Sequence, residues 1–328
     1  MIDKLKTSAT ARAVLALALV LLMGLIFNAN GAFLKLGTHR DALRQTSVTG
    51  ILACGMTVVI LAGGIDLAVG SVLALCAIVF SICSIWWAWP PVMAILATVA
   101  CGIACGAVSG SLTARLGIQP FIATLAMMVF ARGLAKTLSG GMKVSTSLPN
   151  ADGTYRSIEL PGIFRAIDSR FAGDNISVVT LIFLLCAGLC WVLLARHRFG
   201  QYIYAIGGNE EAARLSGVPV RWSKIAAYAV SGFTAAVAGI CQAAQEQQGD
   251  PEAGTGYELT AIAMVVIGGT SLSGGRGGIG LTLMGAVTIG YLDKILSINA
   301  VPEASRLMLT GLIIVVAVLT QRRRGIRG

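Results

Sequence analysis

Ten apolar runs, each near the roughly 20 residues that cross a hydrocarbon core as a helix, leave this 328-residue chain few folds to choose from. They lie at about 12–28, 46–62, 67–87, 91–113, 120–138, 176–195, 224–244, 258–272, 278–297 and 304–320. In lipid every backbone polar group must find a partner inside the protein, so only helices and closed barrels span a bilayer. A barrel would show short alternating strands, whereas these runs are continuously apolar. The expected fold is therefore all-α: one polytopic transmembrane helical bundle over 1–328, with about ten spans. Composition agrees, with 56% hydrophobic and 12% charged residues, against about 45–50% and 25% in soluble domains. The 40 glycines fit as well, because small residues let membrane helices approach closely.

The formal charge of +10 suggests nucleic acid only until the basic residues are placed. Most lie between or beyond the apolar runs, where they set topology and face anionic lipid, so no nucleic-acid partner is expected. Lys4, Lys6, Arg12, Arg115, the basic residues of 196–224, Arg276 and the tail from Arg322 to Arg327 fall on one side. The shorter loops of the other side hold Lys35, Arg40, Arg44, Lys294 and Arg306. Both termini are thus expected in the cytoplasm. The apolar run after Arg12 resembles a signal peptide, but 28–32 offers no clean cleavage site, so an uncleaved first span is expected. The eight cysteines all lie in apolar stretches without nearby His or carboxylate groups. They read as small buried hydrophobes, with no metal site expected.

Two loops break the pattern. The polar segment 139–175 is read as external, either a lid or docking surface or a solvated connector. The segment 196–223 faces the cytoplasm. There is also an internal echo: Gly63, Gly64, Leu67 and Gly70 match Gly268, Gly269, Leu272 and Gly275 at a constant offset. Paired glycine-broken segments in two halves of a chain point to a transport path built from broken helices, although chance or close packing also explains four shared positions. Gly63, Gly64, Asp66, Gly70, Gly268, Gly269 and Ser271 are accordingly candidate pathway or gate residues. Asp66 either meets solute hydroxyls in such a path or caps the helix that follows it. Glu246 and Glu258 flank a polar external stretch and read as loop residues, and Arg132 and Lys136 as snorkelling side chains.

The loop 196–223 contains Gly207, Gly208, Asn209, Glu210, Glu211, Ala212, Ala213 and, four residues on, Gly217. Asn209 is a good N-cap, Glu210 and Glu211 complement the helix dipole, and Gly217 suits a left-handed C′ position before Pro219. A helix of about two turns follows, between flexible glycines. So short a helix needs packing, supplied either by the membrane surface or by a partner groove that admits Ala212 and Ala213.

The stretch Glu211-Ala212-Ala213-x-x-x-Gly217 resembles the EAA…G motif by which permeases of ATP-binding-cassette importers dock onto their ATPases. Residues 205–219 are similar to the monosaccharide branch of that superfamily, the ribose, arabinose and galactofuranose type. The stretches 63–71, 266–277 and 119–125 with Arg132-Gly133 agree, in order, although Ala68 stands where relatives more often have Ser. The resemblance implies a non-enzymatic permease of a bacterial inner membrane, moving a pentose or hexose. Its implied partners are cytoplasmic ATP-binding subunits, a periplasmic sugar-binding protein and a second permease subunit, identical or not. No cofactor is expected on this chain, ATP and Mg belonging to the partner. Independently, the sequence has no G-x-x-x-x-G-K-[ST] phosphate loop, so energy comes from a partner or an ion gradient. A proton-coupled transporter is the alternative, and apart from Asp66 it lacks titratable groups deep in its spans. A membrane enzyme would need clustered catalytic groups, which do not occur.

Overall fold

Each apolar run folds as a helix, and four of them stop at a left-handed glycine, Gly63, Gly117, Gly140 or Gly269. The computed structural model describes residues 9–149, 155–173 and 175–322, so Lys4, Lys6, Asp152, Asp174 and the tail beyond Arg322 lie outside the described residues. The first helices are α1 (Ala9–Ile26), α2 (Leu36–Leu61), α3 (Val69–Ser81, extended by a π-helical turn to Trp86), α4 (Pro91–Leu116) and α5 (Pro120–Ser139). Proline opens α4 and α5, and left-handed Gly117 and Gly140 close them. Beyond α5 come α6 (Gly162–Asp168), α7 (Val178–Ala195), α8 (Arg198–Gly208), α9 (Glu210–Leu215) and α10 (Val220–Glu246). The last three are α11 (Tyr257–Gly268), α12 (Ile279–Ile298) and α13 (Glu303–Arg322).

Among the described residues, eight helices are long and apolar enough to cross a membrane: α1, α2, the extended α3, α4, α5, α7, α10 and α12. The expected run 258–272 is corrected. Helix α11 stops at Gly268 because Gly269, at φ 106°, turns the chain out of the helix. Its 12 residues rise only about 18 Å, well short of a roughly 30 Å core.

Helices α2, α3 and α10 form the centre, with 78%, 89% and 72% of their apolar windows buried, against 11% for α1. Glycine allows this density. Gly102, Gly106 and Gly110 form one stripe of α4, and a methyl on any of them would strike α10 backbone at Gly232, Tyr228 or Ile225.

Among the described residues, the strands lie in the segment 139–175 and directly after it. Two short antiparallel hairpins, Ser147–Pro149 with Tyr155–Ser157 and Arg170–Phe171 with Ile176–Ser177, flank α6. The segment is anchored on the bundle. Phe164 of α6 is fully buried and stacks on Phe80 at 5.0 Å between ring centroids. Asp168 pairs with Arg44, and Arg170 with Asp41 at 2.8 Å. These partners also explain why α2 begins at Leu36, ten residues before its apolar run. Arg132 is likewise more than a snorkelling cation: its Nη1 donates to the carbonyls of Pro251 and Ala253, at 2.5 and 2.8 Å, clamping the turn between α10 and α11.

Half-exposed ion pairs contribute little beside a buried ring. A double-mutant cycle of Asp41→Ala and Arg170→Ala, read by detergent unfolding, is expected to give a coupling of about 0.2–1 kcal/mol. A coupling above about 2 kcal/mol would mean that ion pairs, not Phe164, hold the segment down.

Candidate functional site

Helix α9 forms as its sequence dictates. The Asn209 side chain accepts the Ala212 N–H at 3.0 Å, and Glu210 and Glu211 occupy the first turn. The C-terminus is a Schellman turn: Gly217, at φ 81°, donates to the Arg214 carbonyl and Val218 to that of Ala213. Glu211 pairs with Arg214, and Glu210 with Lys224 of α10 at 2.6 Å.

Burial divides the helix. Ala213 faces inward, packed with Ile206, Val218 and Val220 of its own loop, which corrects the expectation that both alanines meet a partner. Ala212 is exposed, and Leu215 is 81% exposed, an apolar side chain that the loop itself leaves uncovered. Leu215 was not among the expected site residues, since a lone Leu in a short amphipathic stretch reads as core. Gly217 has open space around its Cα.

Of the two glycines expected to be flexible before α9, Gly207 is packed into a joint, while Gly208 is exposed with open space around it. Gly207, in the last turn of α8, lies so close to α2 that a methyl there would overlap the Leu61 carbonyl oxygen and the Gly275 amide. Gly275 donates its N–H to that same Leu61 carbonyl at 3.0 Å. A methyl on Gly274 would lie 3.0 Å from the Gly63 nitrogen and from the Cα and carbonyl oxygen of Gly207. Three backbones therefore meet at one point: the end of α2, the end of α8 and the loop after α11. Tyr204 of α8 adds a fourth strut, its hydroxyl donating to the Gly277 carbonyl at 3.0 Å. Burial pushes the Tyr204 phenol above its ordinary pKa, so it remains a donor across the physiological range.

The two echo segments meet at this joint, and their local geometry is alike. Helix α2 ends with Gly63 donating to Ile60 and Gly64 to Val59; α11 ends with Gly269 donating to Val266 and Thr270 to Val265. Both are Schellman turns, with φ of 78° at Gly63 and 106° at Gly269. Just beyond, Asp66 Oδ1 accepts the Ala68 N–H at 3.0 Å, and Ser271 Oγ accepts the Ser273 N–H at 3.3 Å. Ser271 also pairs through its backbone N–H with the Arg276 carbonyl, closing the loop.

Asp66 is 4% exposed. Its second oxygen accepts the Ser231 hydroxyl of α10 at 2.7 Å, so the carboxylate ties the break between α2 and α3 to α10. The neighbouring Ile65 carbonyl accepts from Tyr228 and Thr124, each at 3.4 Å. Gly64 packs under Tyr228, and Gly70 against the Gly254 carbonyl. Gly268 lies against the Leu281 backbone of α12. The candidate pathway residues are therefore packed groups at helix ends, while Gly63 is exposed.

The sequence model of a family described as branched-chain amino acid transport system / permease component matches residues 40–318. Over 309 residues the chain is 39% identical to the ribose import permease protein RbsC of Escherichia coli (strain K12), covering 94% of this chain and 92% of the relative. The RbsC of Bacillus subtilis (strain 168) is 39% identical over 308 residues, with the same coverage. The xylose transport system permease protein XylH of Escherichia coli (strain K12) is 33% identical over 353 residues, covering 93% and 89%. No solved structure matches the chain.

Proposed function

Because the chain belongs to the branched-chain amino acid transport system / permease component family of multi-pass membrane proteins, we propose that it is the path-forming subunit of an ATP-driven importer for ribose, xylose or a related monosaccharide. Helix α9 is the element on which a cytoplasmic ATP-binding subunit acts. Its exposed face offers Ala212, Leu215 and Gly217 to a groove, while Ala213 fixes the helix to its own loop. The single observation that carries this reading is the joint behind α9: motion of α8 cannot be absorbed at Gly207 and must pass to α2 and to the loop after α11. Gly207, Gly208, Asn209, Glu210, Glu211, Ala212, Ala213 and Gly217 make up the coupling element. Gly63, Gly64, Asp66, Gly70, Gly268, Gly269 and Ser271 form the two gate-side breaks it moves.

In this reading α11 and α13 complete ten membrane-inserted segments and both termini are cytoplasmic. The segment 139–175 faces a periplasmic sugar-binding protein. A second permease subunit closes the path, and ATP and Mg reside on the partner ATPase, with no cofactor on this chain.

The test is uptake of radiolabelled ribose, xylose and leucine by vesicles holding the permease, its ATP-binding subunit and its binding protein. Uptake of a pentose that needs ATP and is blocked by vanadate is expected. Asn209→Ala, which removes the cap at about 1 kcal/mol, should lower it by about fivefold. Leucine uptake would overturn the substrate class. Pentose uptake abolished by a protonophore but indifferent to vanadate would establish the proton-coupled alternative.

A further inference from the structure

About midway along α2, a cavity of about 430 Å³ opens between α2, α11, α12 and α13. That volume falls in the roughly 300–1,000 Å³ range of small-molecule sites. Such sites are usually lined by apolar side chains; here ten of the fourteen lining residues carry a hydroxyl, amide, carboxylate or guanidinium.

The lining chemistry selects among solutes. Gln45, Thr260 and Ser297 both donate and accept hydrogen bonds, as adjacent hydroxyls on a ring require. Asp293 and Glu303 supply carboxylate acceptors, and Tyr257 an aromatic ring. Arg306 is neutralised by Asp293 at 3.0 Å, yet its Nε is buried with no hydrogen-bond partner in the protein. One guanidinium already paired, beside two carboxylates, repels an anion. Polar side chains outnumber the apolar Met264, Ile289 and Leu307 in the lining, which suits a hydroxylated ring better than a branched aliphatic side chain.

We infer that this cavity is a low-affinity binding site for a neutral polyhydroxylated ring, a monosaccharide, within the permease itself. The inference rests on the sugar-importer reading and adds the place where the solute is held. The position of α11 gives the site mechanical meaning. This short helix lines the cavity with Tyr257, Thr260 and Met264 and ends at Gly269, whose loop is bonded to Leu61 through Gly275. The cavity thus touches the middle of α2, whose end at Leu61 meets the joint behind the coupling element. From Gln45 to Leu61 the helix rises about 24 Å.

The test uses Ser297→Cys in the purified transporter, labelled by a charged, membrane-impermeant methanethiosulfonate, with the native chain as background. Labelling is expected to be slowed about tenfold by 100 mM ribose or xylose, as for a Kd of about 10 mM, and not by glycine betaine or leucine. Adding Asp293→Asn should abolish the protection while the labelling rate without sugar persists. The inference is overturned if the introduced thiol does not react, if sugar leaves the rate unchanged, if leucine protects as well as ribose, or if Asp293→Asn keeps full protection. No sugar protection of Ser297→Cys alone, with pentose uptake by the native transporter intact, sinks this site alone; absent pentose uptake by the native transporter sinks the reading on which it rests.

Discussion

Gly207→Ala is expected to reduce sugar uptake more than tenfold while leaving the permease inserted and able to bind its ATPase. The added methyl has nowhere to go, because its neighbours are the Leu61 carbonyl and the Gly275 amide, backbone atoms of two other segments. Something must shift, and the bond most directly in the way is Gly275 N–H to Leu61 O, 3.0 Å long. Overpacking and an orphaned carbonyl together cost about 2–5 kcal/mol, enough to open the joint. The bundle core touches this point only at the end of α2, around Leu61, and its larger part along α3, α4 and α10 keeps its packing. What is lost is transmission from α9. The ATPase activity of the mutant complex should therefore no longer respond to sugar-loaded binding protein. Gly188→Ala in α7 is the control: nothing beyond the helix's own backbone lies within 4 Å of the added methyl, and replacing a mid-helix glycine gains about 0.5–1 kcal/mol. Wild-type uptake by Gly207→Ala would remove the joint from the coupling path.

The same joint marks the limit of what the sequence discloses. Apolar length placed a helix in every expected run, because spanning lipid is a one-dimensional constraint. The start of α2 was missed, since nothing near Leu36 announces that Asp41 and Arg44 find partners some 125 residues away. The end of α11 was legible in principle: Gly268-Gly269 carries the cap. In a glycine-rich membrane protein, though, such a pair reads equally as close packing. In α9 the cap, the acidic first turn and the left-handed glycine all follow from local chemistry, hence were readable. Which alanine points outward was not, because Val218 and Val220 fold back over Ala213. The joint shows in the sequence only as glycines, Gly63, Gly207 and Gly275, and nothing there pairs them, since its acceptor is a backbone carbonyl that any residue at 61 would supply. Phe164, one of several apolar residues in a largely polar segment, is similarly silent until Phe80 is seen beneath it.

A graded loss is expected at Asp66, and the grading separates a brace from a ligand. The carboxylate is buried and accepts from the Ala68 N–H at 3.0 Å and the Ser231 hydroxyl at 2.7 Å. Asp66→Leu leaves both donors without an acceptor, at about 1–3 kcal/mol each, and should nearly abolish both folded yield and uptake. Asp66→Asn keeps an oxygen for Ala68 and turns its amide toward Ser231, whose hydroxyl can also accept. It gives up only the charge-assisted part of one bond, about 1 kcal/mol, and should lower uptake several-fold with the ATPase still bound. Ser231→Ala should match it, and the double mutant should lose less than the two single losses added, because both changes remove the same contact. A brace holds the break between α2 and α3 whatever the solute. The ratio of ribose to xylose uptake should then stay constant through the whole series. A carboxylate that touched the sugar would instead shift that ratio in Asp66→Asn, since the two pentoses present their hydroxyls differently. A changed ratio at unchanged stability would therefore put Asp66 in the solute path despite its burial, and the hydrogen bond to Ser231 would then describe only one state of the transport cycle.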